Sequence, residues 1–229
     1  LGRDTPNRGV MTWANSTGQT FAITYAIDAD YMLTATQTVT NAGAQPVAVT
    51  PVALLSRTSK TASLDSFNVH SGPIGAFDDA VAFDTDYDDI DEANGRTVAP
   101  AGKTNWIGFT DIYWMSALIP DKTQTASDFR ALGGSVYLAN VFYPQAVVAP
   151  GQALTRTTRL FAGAKESAVM DRYEEAGISR FGLAIDWGWF RWFEKPIFWL
   201  LDTLFKAVGN FGVAIILLTV IVRGVMFPI

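Results

Sequence analysis

The stretch from Asn210 to Ile229 constrains this chain more than any other, because it is an apolar run with a single charge, Arg223, well inside it. At about 1.5 Å per residue its roughly 20 residues reach close to the ~30 Å of a bilayer's hydrocarbon core, so the pattern predicts a transmembrane helix over 210–229. A guanidinium against lipid costs at least about 2.5 kcal/mol. Arg223 is therefore expected to face protein, water or a substrate, unless its long stem carries the charge to the nearby headgroups. Thr219 lies one turn earlier on the same face, with Gly212 further back along it.

The residues just upstream fit the same setting. Trp187, Trp189, Trp192 and Phe193 form a dense aromatic cluster of the kind found at membrane–water interfaces. Pro196 suits the first turn of a helix. Beyond it Ile197, Leu200, Leu201, Leu204, Phe205 and Val208 share one arc, and Trp199, Asp202, Thr203 and Lys206 the other. An amphipathic helix lying in the membrane surface is expected, in preference to one packed on the rest of the chain, with Trp199 joining the interfacial aromatics. Gly209 and Asn210 end it and let the chain turn.

Charge divides unevenly. Residues 194–229 carry Lys195, Lys206 and Arg223 against Glu194 and Asp202, a net of +1, so of the formal −5 the remainder of the chain holds about −6. An acidic body argues against nucleic acid, whose partners need clustered Lys and Arg. The absence of cysteine excludes disulfides and thiolate metal sites. The first residues have neither the basic start nor the apolar core of a signal peptide, and no initiator Met, so the chain reads as a fragment cut at both ends.

Ahead of residue 165 the dominant period is two. Residues 1–19 read as a loop anchored by Trp13. Phe21, Ile23, Tyr25 and Ile27 alternate with smaller or polar residues, as do Tyr31, Leu33, Ala35 and Val39, around a turn at Asp28 and Asp30. A further strand spans 47–56, making a β-meander. Residues 57–104 are less regular. Strands return over 105–110, 112–119, 135–148 and 155–161, separated by Gly and Pro turns. Helical spacing then takes over at 165–176, with Gly177 as its stop.

Three features invite chemistry and argue against it on detail. The aspartates 84, 86, 88, 89 and 91 resemble the start of a calcium loop, but Asp89 stands where that loop needs glycine and Gly95 where it needs glutamate, so a solvated surface loop is expected over a weak cation site. His70 is the sole histidine, too few for a histidine-rich metal centre, and reads as a loop residue rather than a general base. Trp106, Phe109, Tyr113, Trp114, Phe129, Tyr137, Phe142 and Tyr143 are expected to build a core rather than a sugar-stacking cleft. No cofactor or metal is expected.

The block Asp186-Trp-Gly-Trp-Phe-Arg-Trp-Phe-Glu-Lys-Pro, together with residues 208–216 and 219–228, closely resembles the YidC family of membrane-protein insertases. Residues 105–120 resemble the same family's periplasmic domain. The resemblance implies a mainly β fold: a periplasmic antiparallel β-supersandwich (1–164), a short helix and connector (165–185), an aromatic belt with an interfacial helix (186–209), and a transmembrane helix (210–229). It implies a chaperone-like insertase of the bacterial inner membrane, not an enzyme, with Arg223 and Thr219 in a hydrophilic groove that receives polar parts of incoming chains. Its implied partners are nascent membrane proteins, Sec translocon subunits, the lipid bilayer, and the ribosome through parts outside this chain. The alternatives are a membrane-anchored carbohydrate-binding module, since the supersandwich resembles mutarotase folds, or a scaffold docking translocon subunits.

Overall fold

Period-two patterning becomes antiparallel ladders wherever one strand face is covered, and the computed structural model describes these over residues 8–59, 69–95, 97–185 and 191–226. The strands are β1 (Arg8–Ala14), β2 (Gln19–Ile27), β3 (Met32–Asn41), β4 (Val47–Val49), β5 (Val52–Thr58), β6 (Gly72–Phe77) and β7 (Ala80–Ala82), then β8 (Thr104–Thr110), β9 (Trp114–Pro120), β10 (Ala126–Gly133), β11 (Val136–Phe142), β12 (Ala146–Val148) and β13 (Ala153–Ala164). Helix α1 (Tyr87–Glu92) precedes β8, and α2 (Ser167–Glu175) follows β13, leading to a 3-10 turn at Phe181–Ala184. Helices α3 (Arg191–Val208) and α4 (Phe211–Met226) form a second compact unit, the division falling after Ile185.

The first unit is built on an eight-stranded sheet ordered β1-β2-β3-β13-β9-β8-β6-β7, a three-stranded sheet β10-β11-β5, and the pair β12-β4. The mainly antiparallel β fold expected from the patterning is therefore what forms. Strands β9, β8 and β6 of the large sheet are buried on both faces. Trp106, Met115, Ala117, Ile119 and Phe161 point into one core, which Met170 and Tyr173 of α2, with Ile178, Phe181 and Ala184, close from above. Ile107, Phe109, Leu118 and Leu160 point into the other, closed by Phe129, Tyr137, Ala139 and Val141 of the small sheet and by Ile90 of α1.

Several expectations are corrected, each for a physical reason. Residues 8–14 are a strand, not part of a loop. β1 pairs with β2 along its whole length but is exposed on both faces, so no alternation marks it; Trp13 stacks on its register partner Phe21 with ring centroids 5.2 Å apart. The meander stops at β3, whose other neighbour is β13. The strand expected over 47–56 is divided before Pro51, and that over 135–148 around Pro144, since proline has no N–H to give a ladder. β6 went unforeseen because its residues are buried on both sides, and β10 carries polar side chains at Ser127 and Asp128. The acidic run is in part helical: Asp86 accepts from the Asp89 amide at 3.0 Å, and Asp89 accepts from the Asp86 amide at 2.8 Å, a reciprocal cap that starts α1.

Helix α2 ends as expected at Gly177, whose φ of +97° lets the Ile178 amide reach the Tyr173 carbonyl at 3.0 Å and its own amide reach Glu174 at 2.9 Å. The cap delivers Ile178 into the core. The helix is held to the sheet by the Tyr173 hydroxyl, which donates to Asp28 at 2.8 Å, and by the Trp106 indole, which donates to the Ser179 carbonyl at 3.1 Å. Burial, the bond to Asp28 and the charges of Asp28 and Asp30 raise the Tyr173 pKa.

One ion pair ties the two sheets. Arg57 on β5 donates to both carboxylate oxygens of Asp111, at the end of β8, at 2.9 and 2.7 Å, and the Ser71 hydroxyl also donates to Asp111 at 3.2 Å. Replacing Arg57 with Ala leaves a carboxylate that is 11% exposed without its cation, and is expected to cost about 3 kcal/mol in denaturant unfolding. A second expectation concerns alkaline pH. Burial and the bond to Asp91 push the Tyr137 hydroxyl from its ordinary value near 10 up to about 12. A raised folded-state pKa favours the fold below the unfolded value and loses that advantage as pH climbs to the folded one. Wild-type stability should therefore fall between about pH 10 and 12, less steeply in Tyr137→Phe, when unfolding is followed across that range.

Candidate functional site

Of the site residues singled out from the sequence, Trp192, Phe193 and Trp199 fall on α3 and Thr219 and Arg223 on α4, and local chemistry explains how these helices form. α3 begins at Arg191, so Pro196 sits within the helix instead of opening it. Its missing N–H forfeits one bond to the carbonyl a turn back, a loss an 18-residue helix absorbs. On the expected apolar arc Ile197, Leu200, Leu201 and Leu204 are half-buried, whereas Phe205 and Val208 are exposed. On the other arc Lys206 pairs with Asp202 at 2.6 Å and the Thr203 hydroxyl donates to the Trp199 carbonyl at 2.8 Å.

The break falls where the sequence places it. Gly209 adopts φ +67°, its amide bonding the Phe205 carbonyl at 2.8 Å. Asn210 then caps α4, its side-chain oxygen accepting from the Val213 amide at 3.2 Å. The two helices close on one another at Ala214, which is wholly buried, and through an edge-on contact of Phe205 with Phe211, centroids 5.8 Å apart. A small residue at such a crossing lets the backbones approach.

The rest of α4 faces outward. Phe211, Ile216, Val220 and Val225 are each more than half exposed, among the largest apolar exposures in the molecule. Arg223 and Thr219 share a face of this helix and both are exposed, Arg223 standing in its last described turn, where the carbonyl end of the helix favours a cation. The Thr219 hydroxyl is already committed, donating to the Ile215 carbonyl at 2.9 Å. Trp199 is 67% exposed on α3. Trp187 and Trp189 lie outside the described residues, as do the side chains of Trp192 and Phe193.

Of the span expected over 210–229, the described part is α4. α4 is described over 16 residues, about 24 Å of rise against the ~30 Å of a hydrocarbon core. Among the described residues no helix is long and apolar enough to cross a membrane; residues 227–229 lie outside them.

In the β unit the chemistry weighed from sequence finds no geometry of its own. Among the described residues no group of three or more His, Asp or Glu side chains is placed to hold a metal ion. The His70 Nε2 donates to the Pro73 carbonyl at 2.8 Å and the ring meets Phe83 edge-on. Five of the eight aromatic residues considered for a sugar cleft, Trp106, Phe109, Phe129, Tyr137 and Tyr143, are buried in the protein, so the carbohydrate-binding reading is not supported; Tyr113 and Trp114 are exposed. What sequence reasoning missed is a cleft of about 660 Å³ at one end of the large sheet, lined by Lys103, Lys122 and Arg159. No sequence motif could have marked it, since only the pairing of three strands joins residues so far apart.

Comparisons with known proteins bear on both units. The sequence model of the YidC periplasmic domain matches residues 4–200. A membrane protein insertase YidC of Zymomonas mobilis is 41% identical over 220 residues, covering 95% of this chain and 38% of the relative. One of Ruegeria sp. strain TM1040 is 42% identical over 241 residues, covering 98% of this chain and 39% of the relative. The chain thus spans about two-fifths of the length of these relatives. Among solved structures, a galactose mutarotase-like protein from Lactobacillus casei matches with a TM-score of 0.51 at 11% identity, covering 70% of this chain and 71% of that one, a likeness of fold alone. With the match running from the first strand into α3, and the relatives aligned over nearly the whole sequence, the chain belongs to the YidC family of membrane protein insertases.

Proposed function

We propose that this chain works as part of a membrane-protein insertase of the bacterial inner membrane, with its β unit in the periplasm. In this reading α3 lies in the interface, Trp187, Trp189, Trp192, Phe193 and Trp199 anchor it there, and residues 210–229 form a membrane helix. The observation that carries the proposal is the outward apolar surface of α4 surrounding one cation. A helix apolar on nearly all sides is stable only when lipid or other helices cover it. A cation on such a helix draws water and acidic groups towards it, because its attraction for opposite charge grows as the surrounding dielectric falls.

Arg223 accordingly receives the polar or acidic parts of a chain being inserted, with the role of the protein being to lower a transfer cost and not to make or break bonds. Thr219 lies on the same face, its hydroxyl proton directed at the Ile215 carbonyl. Nascent membrane proteins are the substrates, and translocon subunits and the ribosome are partners of the longer protein.

The test is an insertion assay in a strain depleted of its own insertase, complemented by the full-length protein. Arg223→Ala is expected to lower insertion of substrates with acidic translocated segments several-fold, Arg223→Lys to restore part of it, and Thr219→Val to have little effect because its hydroxyl is internally bonded. Insertion unchanged in Arg223→Ala overturns the role given to this residue.

A further inference from the structure

The cleft at the end of the large sheet has a charge opposite to that of the unit that contains it. We propose that it is a binding site for a phosphate group, held by Arg159, Lys103 and Lys122. The topology makes the site. β13, β9 and β8 are neighbours in that order, and β8 begins at Thr104 beside the end of β9 at Pro120. Arg159 on β13 lies opposite Ile119 of β9, Lys122 follows the end of β9, and Lys103 precedes the start of β8. Three cations from three adjacent strands thus meet within roughly two strand spacings, about 10 Å.

Arg159 shares its sheet face with Phe161, the face covered by α2 and the 3-10 turn. The cleft opens where that cover stops, between the sheet and residues 176–179, with the buried Ile119 and Ile178 as an apolar floor. Its volume of about 660 Å³ lies in the range of small-molecule sites. Asn105 and Ser179 on the rim add neutral hydrogen-bonding groups.

Three cations outnumber the one carboxylate in the lining of the cleft. Lys103, Lys122 and Arg159 enter no ion pair among the described residues. The one carboxylate lining the cleft, Asp121, is engaged elsewhere: it accepts from the Thr123 amide at 2.8 Å and the Thr157 amide at 3.3 Å, with the charge of Arg156 nearby. Asp78, beside the rim, accepts from the Lys103 amide at 2.9 Å and so holds the backbone of that residue instead of its ammonium. The carbonyls at the end of α2 are taken up by the Gly177 and Ile178 amides.

The chemistry favours phosphate over a carboxylate. One guanidinium saturates both oxygens of a carboxylate, whereas a phosphate has further oxygens for two ammonium groups around it. Such a group can arrive on the headgroup of an anionic phospholipid or as a free phosphate compound.

Isothermal titration of the full chain with inorganic phosphate, glycerol 3-phosphate and short-chain phosphatidylglycerol, with short-chain phosphatidylcholine as control, tests the proposal. Saturable binding of the anionic probes is expected, weakening with added salt and falling at least about tenfold in the double variant Arg159→Gln, Lys122→Gln, the loss that follows removal of charge-assisted hydrogen bonds. Tighter binding of phosphatidylglycerol than of inorganic phosphate identifies a headgroup site; equal or tighter binding of inorganic phosphate identifies a site for the free ion. No saturable binding of any phosphate probe, affinity insensitive to salt, or affinity unchanged in a double variant whose circular dichroism matches wild type overturns it. These outcomes do not depend on Arg223 or on insertion activity.

Discussion

Burial of β8 and β9 on both faces is the constraint from which the rest of the β unit follows. A strand with water on one side needs one cover; these need two, and the chain supplies a helix with a 3-10 turn above and a three-stranded sheet below. Close packing leaves little latitude inside. At Gly108 a side-chain carbon would run into the Ser116 carbonyl oxygen and the Ala117 backbone, so a residue without one is required there. The polar ties sit at the margins of the cores: Arg57 with Asp111 between the sheets, Tyr173 with Asp28 beneath α2, Tyr137 with Asp91 over α1. Each satisfies a group that burial would otherwise penalise.

The same architecture produces an electrostatic exception. β8 and β9 pass through the interior and carry no charged side chain, so the cations beside them come from residues just beyond their ends and from β13, which runs on past the end of β9. Arg159, Lys122 and Lys103 gather in this way although the body around them is acidic. In the second unit a cation is isolated instead of gathered: Arg223 stands among exposed apolar side chains on α4. Net charge alone would have suggested a body that repels anions everywhere; the placement of a few cations reverses that locally.

The helical unit was readable because its signals are local. Most of the apolar arc of α3, the stop at Gly209 and the shared face of Thr219 and Arg223 depend on residues within a few positions of each other, and the structure has them; the cap that Asn210 gives α4 went unread. Pro196 misled because a proline marks a helix start only on average, and tolerance of one lost bond carried α3 five residues further back. In the β unit the half-buried β2 and β3 declared themselves by alternation. β1, exposed on both faces, and β6, buried on both, carry no alternation, and α1 arises from a cap between two aspartates whose charges alone suggested a loop.

By itself the sequence determined the family, the mainly β character of its first 164 residues, the helix that closes the sheet, and the isolated cation near its end, because composition, period and near-neighbour spacing are written along the chain. Only the tertiary structure decided which strands are neighbours, that β3 leads to β13 and β4 to β12, and therefore which charges share a cleft. Strand pairing between distant segments is set by which combination buries both faces at once, a property of the whole chain that no window of it contains.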